Sequence, residues 1–181
     1  MSEVLPVVYL ARHGETAWTL TGQHTGLTDL PLTERGERNA RRLEERLRGV
    51  TFAKVFTSPL QRAMRTCELA GFGSVAEIDR DLLEWNYGKY EGRLTTDIHR
   101  ERPDWQLFRD GCPGGESPNE VGVRADRVEA LDSRDLKYPK VSASKLKELA
   151  TAKRTIGHEM IAYGNFGEGV KKSSTGQRLD V

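Results

Sequence analysis

The first apolar stretch of the chain, Val7-Val8-Tyr9-Leu10, has no polar position within it. Alternate residues of a strand point to opposite faces, so an unbroken run fits a strand covered on both sides. The spacing then changes. Ala40, Leu43 and Leu47 recur at helical intervals among Arg and Glu, with Thr33 placed to cap that helix and Gly49 to stop it. Phe52–Thr57 reads as a second strand, and Ser58-Pro59-Leu60-Gln61 follows with the signals of a helix start: Ser58 as N-cap, Pro59 at the first helical position, Gln61 closing a capping box. Leu60, Ala63, Met64 and Cys67 form the inward stripe of this helix, which makes Cys67 a core residue.

A third strand is expected around Val75–Ile78, a polar and aromatic loop over 83–93, and a short helix over Asp97–Arg102. A second capping box, Ser117-Pro118-Asn119-Glu120, opens a helix with Val121, Ala125 and Val128 on its apolar side. Strands alternating with helices predict an α/β fold, a three-layer, mostly parallel sheet with helices on both faces. Past Leu131 the periodicity thins. Lys145–Ala152 is expected as a helix, Arg154–Tyr163 to contain a short strand, and Lys171–Val181 to be disordered.

A chain of 181 residues suits one domain. The net charge of +1 argues for neither nucleic acid nor membrane as partner, so any basic site has to be local. Charge nevertheless divides the chain. Through residue 132, 16 Arg and 2 Lys face 22 acidic residues, a net −4; from 133 onward 3 Arg and 7 Lys face 5, a net +5. The expected organisation is a domain over 1–132 and an atypical Lys-rich segment over 133–181 that is not a separate stable domain. Two cysteines, Cys67 and Cys112, make no disulfide framework, and the N-terminus lacks a leader pattern, so a reduced cytoplasmic protein is expected.

Chemistry concentrates where the first strand ends, in Arg12-His13-Gly14-Glu15-Thr16. In open α/β sheets ligands collect at the carboxyl ends of strands, where side chains and helix amides converge, and the cation and imidazole there point to a phosphate site. Hydrolysis of a phosphomonoester requires a nucleophile in line with phosphorus, fixed cations on the non-bridging oxygens and a proton for the leaving alkoxide. His13 suits the first role. Arg12 and Arg62 suit the second, since guanidinium forks match phosphate oxygens, and clustered cations hold an imidazole neutral. Glu84 suits the third, because a carboxyl beside a phosphate dianion keeps its proton. His24 and His99 read as surface residues.

These segments, with Gly22-Gln23-His24-Thr25-Gly26-Leu27-Thr28-Asp29-Leu30-Pro31-Leu32-Thr33, Ser58-Pro59-Leu60-Gln61-Arg62-Ala63, Glu84-Trp85-Asn86-Tyr87-Gly88-Lys89-Tyr90-Glu91-Gly92 and Gly114-Gly115-Glu116-Ser117, closely resemble the histidine phosphatase superfamily, the phosphoglycerate mutase-like branch 1. The stretch from Gln23 to Asp29 is similar to bacterial sedoheptulose-1,7-bisphosphatase-like sugar-phosphate phosphatases, and the resemblance covers residues 5 to 130. It implies a phosphorylated nucleophile at His13, phosphate-pocket arginines at Arg12 and Arg62, a general acid/base at Glu84, and substrate-side positions at Thr19, Thr25, Gly26 and Tyr87. The implied partner is a small phosphorylated metabolite, with no metal or organic cofactor. Members also carry a second catalytic histidine after a late central strand, in a Ser/Thr-His-Gly sequence. Here the tail departs: His158 follows Gly157 instead of preceding a Gly, and the sheet is expected to be incomplete toward the C-terminus. The resemblance therefore implies a phosphatase acting through phosphohistidine. A catalytically impaired, anion-binding relative and a phosphoglycerate mutase are the alternatives.

Overall fold

The computed structural model describes residues 7–135, 160–164 and 177–179. Strand β1 (Val7–Ala11) is covered on both faces, as its unbroken apolar run requires. On one face Tyr9 and Ala11 pack with Leu43 and Leu47 of the α2 segment (helix Glu34–Arg46), Val55 of β2 (Phe52–Thr57), and Cys67 and Ala70 at the end of α3 (Gln61–Leu69). On the other, Val8 and Leu10 meet Phe56, Leu82 and Val128, the last on the long helix α6 (Pro118–Asp135). Helices thus cover both sides of the sheet. Full burial of a side chain such as Leu43 contributes about 1.5–3 kcal/mol, which makes this double covering the main stabilising term of the layer.

Five strands form the described sheet in the order β3-β2-β4-β1-β5, where β3 is Glu77–Ile78, β4 is Met160–Gly164 and β5 is Gln177–Leu179. β5 is parallel to β1 and β3 to β2, while β4 runs antiparallel to both β1 and β2. Four strands therefore point one way, and the reversed one sits in the middle. The fold is α/β with a mostly parallel sheet, as the alternation of elements predicts. The short strand expected within Arg154–Tyr163 is β4, whose Met160 pairs with Ala11 on one side and Thr57 on the other. Since neighbouring strands lie about 4.8 Å apart, the carboxyl ends of β1 and β2 stand about 10 Å from each other, and Arg12-His13 and Ser58 leave the sheet along one edge.

Two expectations for the tail need correction or fall elsewhere. Disorder over Lys171–Val181 does not hold for Gln177–Leu179, which pairs with Tyr9–Ala11: the outer edge of β1 offers unpaired backbone groups, and composition does not sense that template. Lys145–Ala152 lies outside the described residues.

Helix starts follow the local code at two of three predicted positions. Thr33 Oγ1 accepts the Gly36 amide at the start of α2, and Ser117 and Glu120 exchange the capping-box bonds at the start of α6. Between β1 and α2 a further short helix forms, α1 (Ala17–Thr21); Thr16 and Thr19 make a capping box and Gly22 ends the helix at φ +79°. The expected helix over Asp97–Arg102 is α4 (Thr95–Glu101), and α5 (Leu107–Asp110) is an additional turn. Two stripe residues face outward: Met64 is 37% exposed and Ala125 is exposed, because the arc of each helix that meets the sheet is narrower than the apolar pattern. A separate cluster of Trp85, Tyr87, Tyr90, Ile98, Trp105, Cys112 and Val121 gathers the aromatic loop, α4 and the start of α6. Among the described residues no helix is long and apolar enough to cross a membrane.

The loop after β1 is seated on α2 through glycine. A Cβ on Gly36 would come within 2.3 Å of the Glu15 carbonyl oxygen, and one on Gly14 within 2.6 Å of the Gly36 carbonyl oxygen. The Thr33 amide donates to that Glu15 carbonyl at 2.8 Å. Backbone meets backbone here, so neither side can swing away. Gly36→Ala is expected to destabilise the protein by about 1–3 kcal/mol in urea unfolding. Gly122→Ala, in α6 with open space around it, is expected to be neutral or to stabilise by up to about 1 kcal/mol. Equal effects of the two substitutions would contradict the close-contact account.

Candidate active site

His13 leaves the end of β1 with 7% of its surface exposed. Its Nδ1 lies 2.6 Å from the Gly14 carbonyl oxygen. A carbonyl can only accept, so Nδ1 carries the proton and the in-plane lone pair of the ring is on Nε2. Burial above all, with the Arg62 and Arg12 charges behind it, lowers the imidazole pKa to about 4, the Gly14 carbonyl opposing them in part. The ring is therefore neutral near pH 7, the nucleophilic form. The Gly14 amide donates to Thr66 Oγ1 at 2.9 Å, and that hydroxyl donates to the Arg62 carbonyl at 2.7 Å. Thr66, buried on α3, thus ties the β1 loop to the helix that carries Arg62.

Arg62 is the second residue of α3, and its side chain is completely buried. Nη1 donates to the Thr28 carbonyl at 3.0 Å and Nη2 to the Gly26 carbonyl at 2.9 Å. The amides of the same two residues donate to Glu91 Oε1, at 2.8 Å from Gly26 and 3.0 Å from Thr28. One residue further on, Asp29 caps α3. Its Oδ1 accepts the Gln61 amide at 2.8 Å, and its carbonyl accepts from Gln61 Nε2 at 2.7 Å. The expected cap at Ser58 is corrected by this. The helix begins at Gln61 behind Leu60, which makes no side-chain cap, and a carboxylate 32 residues away does the capping. Local pattern has no access to a partner that the tertiary fold brings in.

Glu84 is partly buried, and its Oε1 accepts the Trp85 amide at 2.8 Å. Its charge acts on Tyr87, whose phenol pKa is pushed well above the ordinary value by burial first, then by Glu84, Cys112 and Glu91, with Arg12 opposing. Tyr87 consequently remains a protonated donor at any working pH, in the electrostatic range of both Arg12 and Glu84. His13, Arg12 and Arg62 are likewise coupled through the imidazole. Arg12 thus acts on both the imidazole of His13 and the phenol of Tyr87, on which Glu84 also acts.

The positions expected on the substrate side divide. Gly26 is buried, and a Cβ there would meet the Trp85 carbonyl oxygen at 2.2 Å and the Tyr87 ring at 3.0 Å. Thr25 Oγ1 donates to the Gln23 carbonyl at 3.2 Å. Thr19 is engaged locally: its hydroxyl donates to the Thr16 carbonyl and accepts the Thr16 amide, at 2.8 and 2.7 Å. His24, expected at the surface, is only partly exposed. It stacks on Tyr87 with ring centroids 4.6 Å apart, and burial lowers its pKa. Cys67 is buried with its thiol pushed up to about 11 by desolvation, which fits a core residue. His158 lies outside the described residues. Among the described residues no group of three or more His, Cys, Asp or Glu is placed to hold a metal. Sequence reasoning missed Thr66, Asp29 and Glu91. The spacing of Thr66, four residues after Arg62 on one helix face, was the only local signal among them.

The profile of the histidine phosphatase superfamily (branch 1) matches residues 8–135. An acid phosphatase of Mycobacterium tuberculosis is 41% identical over 136 residues, which cover 71% of this chain and 66% of that protein. Sedoheptulose 1,7-bisphosphatase of Saccharomyces cerevisiae is 38% identical over 152 residues, covering 71% of this chain and 56% of the yeast protein. The chain thus spans less than two thirds of the length of either relative. Among solved structures, an open reading frame product of Mycobacterium tuberculosis superposes with a TM-score of 0.66 at 38% identity, covering 72% of this chain and 68% of that one.

Two outcomes follow from the geometry. Thr66→Val leaves the buried Gly14 amide without its acceptor and is expected to lower unfolding stability by about 1–3 kcal/mol, whereas Thr66→Ser, which keeps the hydroxyl, costs less than about 1 kcal/mol. For His13 the native pKa is depressed, so below pH 6.5 the unfolded chain takes up a proton that the folded one resists until about pH 4. The associated stability is complete above pH 6.5 and is lost on acidification toward pH 4. The stability difference between wild type and His13→Gln is expected to shrink by up to about 3 kcal/mol across that window. A difference independent of pH would mean that the imidazole titrates normally.

Proposed function

This chain belongs to branch 1 of the histidine phosphatase superfamily, and from that premise we propose that it hydrolyses small phosphomonoesters, sugar phosphates among them, through a phosphohistidine on His13. The observation that carries the reading is the buried, neutral His13 in its Nδ1–H form, under the charges of two arginines, at the carboxyl edge of the sheet. In the first step Nε2 attacks phosphorus, the ester P–O bond breaks, and the departing alkoxide takes the proton of the Glu84 carboxyl to leave as the alcohol. In the second, Glu84 takes a proton from water as the oxygen attacks phosphorus, and the P–N bond breaks to give inorganic phosphate and free His13. Arg12 and Arg62 bear the charge of the non-bridging oxygens throughout. Tyr87, held protonated, and the Thr25-Gly26 backbone stand on the substrate side; Thr19 is a substrate contact only if its capping bonds open.

Relatives named for an acid phosphatase and for a sugar bisphosphatase support this substrate class. On this reading residues 1–132 are the phosphatase domain and 133–181 an atypical segment that is not a separate stable domain, in line with the pairing of β4 and β5 to strands of that domain.

The test is release of inorganic phosphate from a panel of phosphomonoesters by wild type and His13→Ala, with acid-labile phosphoryl label on the protein followed in parallel. Wild type is expected to release free phosphate and to become labelled. His13→Ala should lose at least about 10³-fold in rate and all of the label. Equal rates in the two proteins would leave an anion-binding chain without turnover, and return of the phosphoryl group to a second substrate hydroxyl would indicate a mutase.

A further inference from the structure

Glu91 lies within the motif that runs from Glu84 to Gly92, yet the two-step reaction assigns it nothing to do. It follows a 3₁₀ turn at Gly88–Tyr90 and has no hydrogen bond to Arg12, His13 or Arg62 among those described. Its contacts are with a loop: Oε1 accepts the amides of Gly26 and Thr28 together. The carbonyls of those same two residues receive Nη2 and Nη1 of Arg62. A three-residue piece of backbone is therefore gripped by a carboxylate through its donors and by a guanidinium through its acceptors.

Two details argue that the grip serves orientation more than stability. Glu91 Oε2 is buried without a hydrogen-bond partner among the described residues, an arrangement that weakens a clamp whose role is only to hold a loop. The fit at Gly26 is also tight, since a Cβ would stand 2.8 Å from Oε2 and 2.2 Å from the Trp85 carbonyl oxygen, so the loop cannot slide relative to the carboxylate. With both Nη atoms tied to carbonyls of a fixed loop, the plane of the Arg62 fork is fixed too. Bidentate recognition of phosphate depends on that plane, which a point charge does not have.

We propose that Glu91 is a positioning residue that sets the plane of the Arg62 guanidinium through the Gly26–Thr28 backbone. The proposal rests on the reading of Arg62 as a phosphate-binding arginine. Removing the carboxylate releases two amides, the loop relaxes, and the fork turns with it; misplacement by about 1 Å can cost about 10²-fold in rate.

The experiment is a cycle of Glu91→Ala and Arg62→Lys, assayed with p-nitrophenyl phosphate and with inorganic phosphate as competitive inhibitor, with folding followed by thermal unfolding. Glu91→Ala is expected to lower kcat/KM by about 10–100-fold and to weaken inhibition by phosphate, while Glu91→Gln, whose amide oxygen can accept both N–H groups, stays within about 5-fold of wild type. Arg62→Lys retains the charge but has no fork to orient, so adding Glu91→Ala to it should cost less than about 3-fold. Losses that multiply would overturn the proposal, as would a Glu91→Ala protein of lowered melting temperature but unchanged kcat/KM and phosphate inhibition. Should Glu91→Ala not fold, Glu91→Asp, one methylene shorter, takes its place in the cycle, and full activity of that variant overturns the proposal equally. If Arg62→Lys itself leaves kcat/KM and phosphate inhibition unchanged, the phosphate-binding role of Arg62 fails, whatever Glu91 does.

Discussion

A guanidinium with none of its surface in water has to be surrounded by oxygen, and the burial of Arg62 organises the site around it. The carbonyls of Gly26 and Thr28 meet Nη2 and Nη1, which requires the loop after α1 to cross the N-terminus of α3. Once there, Asp29 is in place to cap that helix and Glu91 to hold the loop amides. Thr66, one turn along α3, links the Arg62 carbonyl to the Gly14 amide and so to the imidazole beside it. Guanidinium, imidazole-bearing loop and the Gly26–Thr28 loop are consequently one hydrogen-bonded unit, whose parts are distant in sequence.

The sheet supplies the platform for this unit. Its two neighbours across β4, β1 and β2, end at the same level, both in register with Met160; Arg12-His13 follow the first of those ends and the helix of Arg62 the second. A reversed central strand satisfies the backbone groups of β1 and β2 as fully as a parallel one would, because an antiparallel ladder is at least as stable per residue. What reversal changes is direction: the carboxyl edge of the sheet receives the beginning of β4 and not its end.

Electrostatics at this edge are set by exclusion of water. His13 is kept neutral by desolvation before any neighbouring charge acts, and Tyr87 is kept protonated by the same cause. The aromatic cluster that buries Tyr87 also carries the loop from Glu84 to Glu91, so the packing of Trp85, Tyr90 and Trp105 decides where both carboxylates stand. Tight backbone approaches at Gly14, Gly26 and Gly36 leave that placement little slack.

Much of the fold is legible in the sequence. The both-faces burial of β1 and the caps at Thr33 and Ser117 follow from runs and spacings within a few positions of each other. Periodicity overstated what it could reach at Met64 and Ala125, which are exposed because helix apolar stripes were wider than the contacts available. Other features had no local signature. The cap of α3 comes from Asp29, the loop clamp from Glu91 lies 63 and 65 residues from its donors, and Gln177–Leu179 is ordered by the open edge of β1 despite a polar composition. The sequence by itself determined which segments are strands and helices and that Arg12-His13 follow the first strand and Arg62 the second, since those are properties of short segments. Only the tertiary structure decided how the Arg62 fork is oriented and which way the central strand runs, because both depend on backbone groups that find their partners after the chain has folded.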